Sequence, residues 1–419
     1  MNDSPAAILF NTDGYAIGVE PRPLIVSPEV YGKTAFGEIR TASPYTIVDL
    51  INKYDISPLE YSTQTATGGT VTHLPNESAI RLAVTGSNGS TSRLRTNAFY
   101  RYQAGKSMLL KTTVYHSDAG QADQTRRWGF FDESDGLFFE LFETQLRIVR
   151  RTFTSGVAVD NAVAQSAWSD DKLDGFGTSE ITLDVTKGNI YEIQLQWLGV
   201  GIARFFINGI LVHQMNHPNT LSAPYMRTAQ LPFNWEVINT GASTGASMTY
   251  ICASAIVEGG HPPSYFAFGA YTNVDIATTT TERPLLSIRP KLTYNAITNR
   301  MILQPFLVTV SCEGGRAGYR VVANGSLTGA SWSAVDANSG AEFDRSATSL
   351  TGGTTILRGF LPDTNSNETI NVTELFQNNE RGLKISAFAS SQDTFTIMGV
   401  NESAGTTNMR ASVTWKEIR

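Results

Sequence analysis

The residues best placed to do chemistry are acidic: Asp132, Glu133 and Asp135 within four positions, followed by Glu140 and Glu143. Two carboxylates facing one bond could hydrolyse a glycan, provided alternate positions of a strand carried both on one face. Glu140 and Glu143 are an odd number of residues apart and would face opposite sides of a single strand, while Asp132 and Asp135 flank a Ser and precede a Gly, a turn composition. The same three residues, Asp132, Glu133 and Asp135, are candidates for Ca²⁺, which takes several oxygens from a loop. The competing reading is turn chemistry with solvated charge, so no catalytic residue and no cofactor is assigned.

Other chemistries lack context. No G-x-S-x-G elbow or phosphate-binding glycine loop is present. His73, His116, His213, His217 and His261 lie scattered in strand-like or loop-like surroundings, and the four-residue spacing of His213 and His217 leads into Pro218, where helical pairing fails. Cys252 and Cys312 sit in separate apolar segments and are read as buried free thiols. A net charge of −6, with only the pairs Arg126-Arg127 and Arg150-Arg151 as basic clusters, argues against a nucleic-acid surface. No run of eighteen apolar residues and no basic-then-apolar opening occurs, so no membrane insertion is expected and synthesis is expected in the host cytoplasm.

The elements that must position these residues are mostly strands. The chain has 419 residues and 36 glycines, enough length for two compact cores. Residues 1–78 are expected to form an arm that docks on neighbours, with one short helix capped by Ser43 and started by Pro44, carrying Ile47, Leu50, Ile51 and Tyr54, and a second beginning at Ser57-Pro58-Leu59-Glu60. Residues 79–258 are expected to form a β-sandwich. Within it, residues 137–141 and 146–150 flank a hairpin loop, Ile181 to Val185 alternates like a strand, and Asn208-Gly209 is a type I′ turn signal. Residues 259–284, opening Gly259-Gly260-His261-Pro262-Pro263, are expected to be a boundary, and 285–419 a second β-sandwich with one short helix capped by Asn371. The fold class is therefore mostly β, with two jelly-roll-like sandwiches and a helix-containing arm.

Aromatic residues suggest how such domains meet partners. Trp128, Phe130, Phe138, Trp168, Trp197 and Phe205 are candidates for an interface or for stacking on glycan. In the pairs Phe130-Phe131, Phe138-Phe139 and Phe205-Phe206 one ring must leave the core face, which, unless the other domain or another subunit covers it, predicts an exposed apolar patch and hence an assembly protein.

The run from Tyr191 to Trp197, then Arg204-Phe205-Phe206-Ile207-Asn208-Gly209 and Val212-His213, resembles the hairpins of concanavalin A-like and laminin-G-like jelly rolls. Taken in order, "RYQAGKS", "RRWGFFDESDGLFFE", "VRRT", "VDN", "DKLDG" and "QWLGVG" resemble a family of virion structural proteins of tailed bacteriophages. That resemblance implies a non-enzymatic virion protein of the tail, baseplate or fibre apparatus, whose partners are other virion proteins, its own copies (a trimer is the first expectation) and host surface glycan. The alternatives are a capsid decoration or head-fibre protein and, from another class, a glycan depolymerase.

Overall fold

The computed structural model describes residues 9–10, 16–17, 43–217, 219–262, 264–376 and 382–419. Two compact units are present, Met1–Ser43 and Pro44–Arg419. In the first, Leu9–Phe10 pairs antiparallel with Ala16–Ile17. The rest of the expected docking arm before residue 43 lies outside the described residues.

The second unit is built from antiparallel strands, as its abundance of β-branched, aromatic and turn-forming residues favours. Its first half packs two sheets face to face. One has seven strands in the order Val159–Ala164, Gln145–Thr152, Gly136–Phe142, Gln124–Phe131, Phe233–Asn239, Thr91–Thr96, Tyr61–Ala66. The other has eight, six of them running Ile210–Met215, Ala203–Ile207, Asn189–Leu195, Met108–His116, Ala246–Glu258, Ala79–Val84, with Thr70–Leu74 at the edge and Pro44–Ile51 also paired to Ala246–Glu258. Alternate residues of both sheets point inward, and Trp128, Phe130, Phe139, Phe205, Trp235 and Tyr250 fill the space between them. Trp235 stacks on Tyr250 with ring centroids 3.8 Å apart.

The second half repeats the scheme. The path Tyr265–Tyr271, Thr407–Ile418, Ile302–Glu313, Asn367–Asn371 forms one sheet, and a six-stranded sheet centred on Arg283–Pro290 and Phe395–Asn401 covers it. Leu285, Val310, Ile397 and Trp415 lie in its core. Residues 264–278, expected as a linker, contribute Tyr265–Tyr271 and Ile276–Thr278, both paired to Thr407–Ile418.

The two sandwiches touch through specific polar contacts. Arg300 lies 3.8 Å over the Phe99 ring and donates to the carbonyls of Ser386 and Ala387, both at 3.0 Å. The Ala387 amide in turn donates to Asn97 Oδ1 at 3.2 Å. Burial is the main cause that brings the Arg300 pKa down, to about 10.

Four local expectations are corrected. Pro44–Ile51 is a strand, not a helix. The ladder to Ala246–Glu258 shifts register so that Val48 opposes Ala255 and Thr46 opposes Ile256, leaving Ile47 as a bulge residue. That bulge lets Ile47 and Leu50, three apart, both face inward, and it imitates a helical period. Ser57 starts a single turn, its carbonyl accepting from Glu60 and Tyr61 at 3.0 and 2.9 Å before a strand begins. Ile181 to Val185 forms one bridge, Asp174 to Thr182, and no strand. The Asn371 cap is present, with Thr373 N donating to Oδ1 at 2.9 Å, but it starts a 3₁₀ turn over Thr373–Phe376. Among the described residues there is no α-helix, and so none long and apolar enough to cross a membrane.

Candidate functional site

Asp132, Glu133 and Asp135 fall in the turn of one hairpin, whose strands Gln124–Phe131 and Gly136–Phe142 meet at the Phe131–Gly136 pair. Asp132 Oδ1 accepts from the amides of Ser134 and Asp135 at 2.7 and 2.9 Å, closing the turn. Glu133 grips the buried Arg95 with two bonds of 2.9 and 2.7 Å. Burial works to raise the Glu133 pKa, but Arg95 outweighs it and holds the carboxyl below its usual range. Asp135 is fully buried, accepts from the amides of Arg227 and Phe153 at 2.8 and 3.2 Å, and is pushed up by that burial. The three carboxylates thus diverge to three different partners. Among the described residues no group of three or more His, Cys, Asp and Glu side chains could hold a metal ion, so the Ca²⁺ candidates Asp132, Glu133 and Asp135 do not form a site.

Glu140 belongs to a different arrangement, which depends on register across six strands. Gln64 opposes Arg93, Arg93 opposes Glu236, Glu236 opposes Arg127, Arg127 opposes Glu140 and Glu140 opposes Arg147. All six lie in one row on the outward face of the seven-stranded sheet. Arg93 Nε lies 3.2 Å from Glu236, Arg127 reaches Glu236 at 2.8 Å and Glu140 at 2.7 Å, and Arg147 Nε donates to Glu140 at 2.8 Å. Glu140 and Glu236 are buried beneath these guanidiniums. Burial lowers the Arg127 pKa, but the two carboxylates together raise it above its ordinary value. Glu143, in contrast, sits in the hairpin turn with φ of 53°.

This row was missed in the sequence because each strand shows only one or two of its members. The Arg-Arg pairs were the available signal, and the structure splits each across two faces. Arg127 and Arg151 face outward, Arg151 bonding Asp160 at 2.7 Å. Arg126 turns inward to Asp118 at 2.6 Å, and Arg150 to His217 Nε2 at 2.8 Å.

The histidines serve the interior separately. Because Arg150 donates to Nε2, His217 Nδ1 carries the proton and donates to the Gly201 carbonyl at 2.9 Å, while the ring stacks on Tyr225 at 4.2 Å. His213 Nδ1 accepts from the Ser169 amide at 3.1 Å. His116 lies 4.7 Å from the Trp128 ring, and burial pushes its pKa down to about 3.

The aromatic candidates are also placed differently from expectation. Trp128, Phe130, Phe138, Trp168 and Phe205 are buried within the chain, so no sugar or partner reaches their faces. Trp197 is half-buried against Tyr102, at 5.9 Å, with its indole N–H on the Met226 carbonyl at 3.2 Å. The paired rings leave no exposed patch. Phe131 and Phe138, facing outward, form a small cluster with Val149 beneath Arg151, which lies 5.8 and 5.2 Å from the two rings. The alternation rule is obeyed, but the sheet's own arginines cover what it turns outward.

A cavity of about 840 Å³ lies between the sandwiches. Phe376 and Phe388 offer ring surface there, and Asn97, Asn324 and Asp393 line it with polar side chains. Burial raises the Asp393 pKa against the opposing pull of Lys384, whose amide donates to it at 3.2 Å.

No family model matches the chain, and comparison with curated proteins finds no match. Solved structures do share its shape in part. An endo-β-1,4-glucuronan lyase from the fungus Trichoderma reesei aligns at TM-score 0.36 and 12% identity over 52% of this chain and 96% of its own. An endo-1,3-β-glucanase from Streptomyces sioyaensis aligns at 0.39 and 10% over 52% and 97%. The carbohydrate recognition domain of Emp47p aligns at 0.34 and 11%, again over 52% and 97%.

Proposed function

We propose that the chain is a non-catalytic structural protein of a tailed-phage particle, part of the tail, baseplate or fibre apparatus, acting through its surfaces. The ordered segments that resemble the phage virion family support the location. The observation that carries the non-catalytic half is the Arg93–Glu236–Arg127–Glu140–Arg147 row, in which both carboxylates are buried and held by arginines on each side. A general acid or base must come within hydrogen-bond reach of its substrate, and these two carboxylates are buried with their oxygens already bonded to arginines. Immunogold labelling of intact particles tests the location. Label at one repeated position on the tail is expected; label on the head would move the protein to capsid decoration, and its absence from particles would end the reading.

A glycan ligand is a second reading, favoured by the inter-sandwich cavity, where rings stand beside amide and carboxylate groups. Calorimetric titration with host lipopolysaccharide should give binding that Phe388→Ala abolishes. Binding unchanged by that substitution would remove the cavity from consideration.

A further inference from the structure

Tyr265–Tyr271 is an edge strand, bonded on one side to Thr407–Ile418 and, among the described residues, to nothing on the other. Most exposed edges carry charge or proline that discourages pairing with another chain. This one reads Tyr-Phe-Ala-Phe-Gly-Ala-Tyr, without either. Its Tyr265, Phe266 and Tyr271 side chains are 46%, 57% and 63% exposed.

We propose that this strand pairs antiparallel with the same strand of a second copy, about a two-fold axis at Phe268. The sequence is self-complementary in that register: Tyr265 meets Tyr271, Phe266 meets Ala270, and Ala267 meets Gly269. Large residues fall opposite small ones where a ring needs room, and the tyrosines pair at both ends. Charge is complementary as well. Lys416 lies 4.8 Å over Tyr265 and Arg419 4.8 Å over Phe266, and with Glu417 offsetting Arg419 the Lys416 charge is what makes this end cationic. Beyond the other end, Asp275 and Glu313 flank Arg410 and leave that end net acidic. Antiparallel pairing sets the cationic end of each copy beside the acidic end of its partner.

The three rings expose on the order of 300 Å² per copy, taking ~200 Å² for a whole aromatic side chain. A standard stable interface needs ~800 Å² per partner, so the isolated dimer is weak, with a dissociation constant in the micromolar range or above. A closed two-fold pair also differs from the trimer expected at first.

Sedimentation velocity over roughly 5 to 500 µM, a range set by that weak affinity, tests the pairing. Ala267 and Gly269 are exposed, and a Cβ at Gly269 meets nothing closer than the Val413 carbonyl oxygen at 3.4 Å, so lysine fits the fold at both. In A267K/G269K like charges oppose across the axis, and the dimer should weaken at least tenfold. In A267K/G269E each lysine opposes a glutamate, and association should return to at least the wild-type level. A wild-type chain that stays monomeric or forms only trimers would overturn the proposal. So would two variants that weaken association alike, with thermal midpoints confirming that both are folded.

Discussion

Glu140 shows how strongly single residues are committed to the fold. Its carboxylate is 2% exposed and joins Arg127 to Arg147. Glu140→Leu leaves two guanidiniums without their shared partner and should destabilise the protein by about 3 kcal/mol in urea unfolding, the usual cost of breaking a buried pair from one side. A change under about 0.5 kcal/mol would show that the row is surface decoration. His116 carries a pH dependence. Burial, aided by Arg126 and opposed by Asp118, holds its pKa near 3, whereas the unfolded chain takes up the proton around the ordinary 6.5. Between those values the unfolded state binds the extra proton, so the His116 contribution is complete above pH 6.5 and is lost as pH falls. His261, at about 4, acts in the same direction, as do His213 and His217. His116→Leu should lose less stability than wild type between pH 7.5 and 4.5 in paired urea titrations. Equal losses would mean that His116 is not protonated on unfolding.

At the scale of elements, turns dictated by local chemistry were the legible part. Asn208 and Gly209 take φ of 51° and 81° between the paired residues Ile207 and Ile210, as the Asn-Gly signal requires. Gly209→Val should cost about 1–2 kcal/mol by forcing a β-branched residue into a left-handed conformation. An unchanged unfolding midpoint would exclude that backbone strain. Features that depend on partners distant in sequence were not legible. The bulge at Ile47 gave Pro44–Ile51 a helical spacing, and Ala246–Glu258, which creates the bulge, lies some two hundred residues away. Likewise, the second ring of each Phe pair was expected to be exposed because alternation says which face a residue takes and not what covers it. Arg151 reaches Phe131 and Phe138 from a strand whose place is set by the hairpin register. The candidate site suffered for the same reason: Asp132, Glu133 and Asp135 are neighbours in sequence, yet Arg95 and Arg227, which claim two of them, come from other strands and loops.

Across the whole molecule, two sandwiches are joined by Arg300 and Asn97, the buried carboxylates of the outward row are held by its arginines, and, among the described residues, one uncharged aromatic edge is left bare. Such a chain is suited to hold and be held. The proposed action without bond breaking is tested most directly by incubating the purified protein with host capsule and lipopolysaccharide and counting new reducing and unsaturated chain ends. The account predicts a count indistinguishable from buffer at every protein concentration; ends that accumulate in proportion to added protein would contradict it.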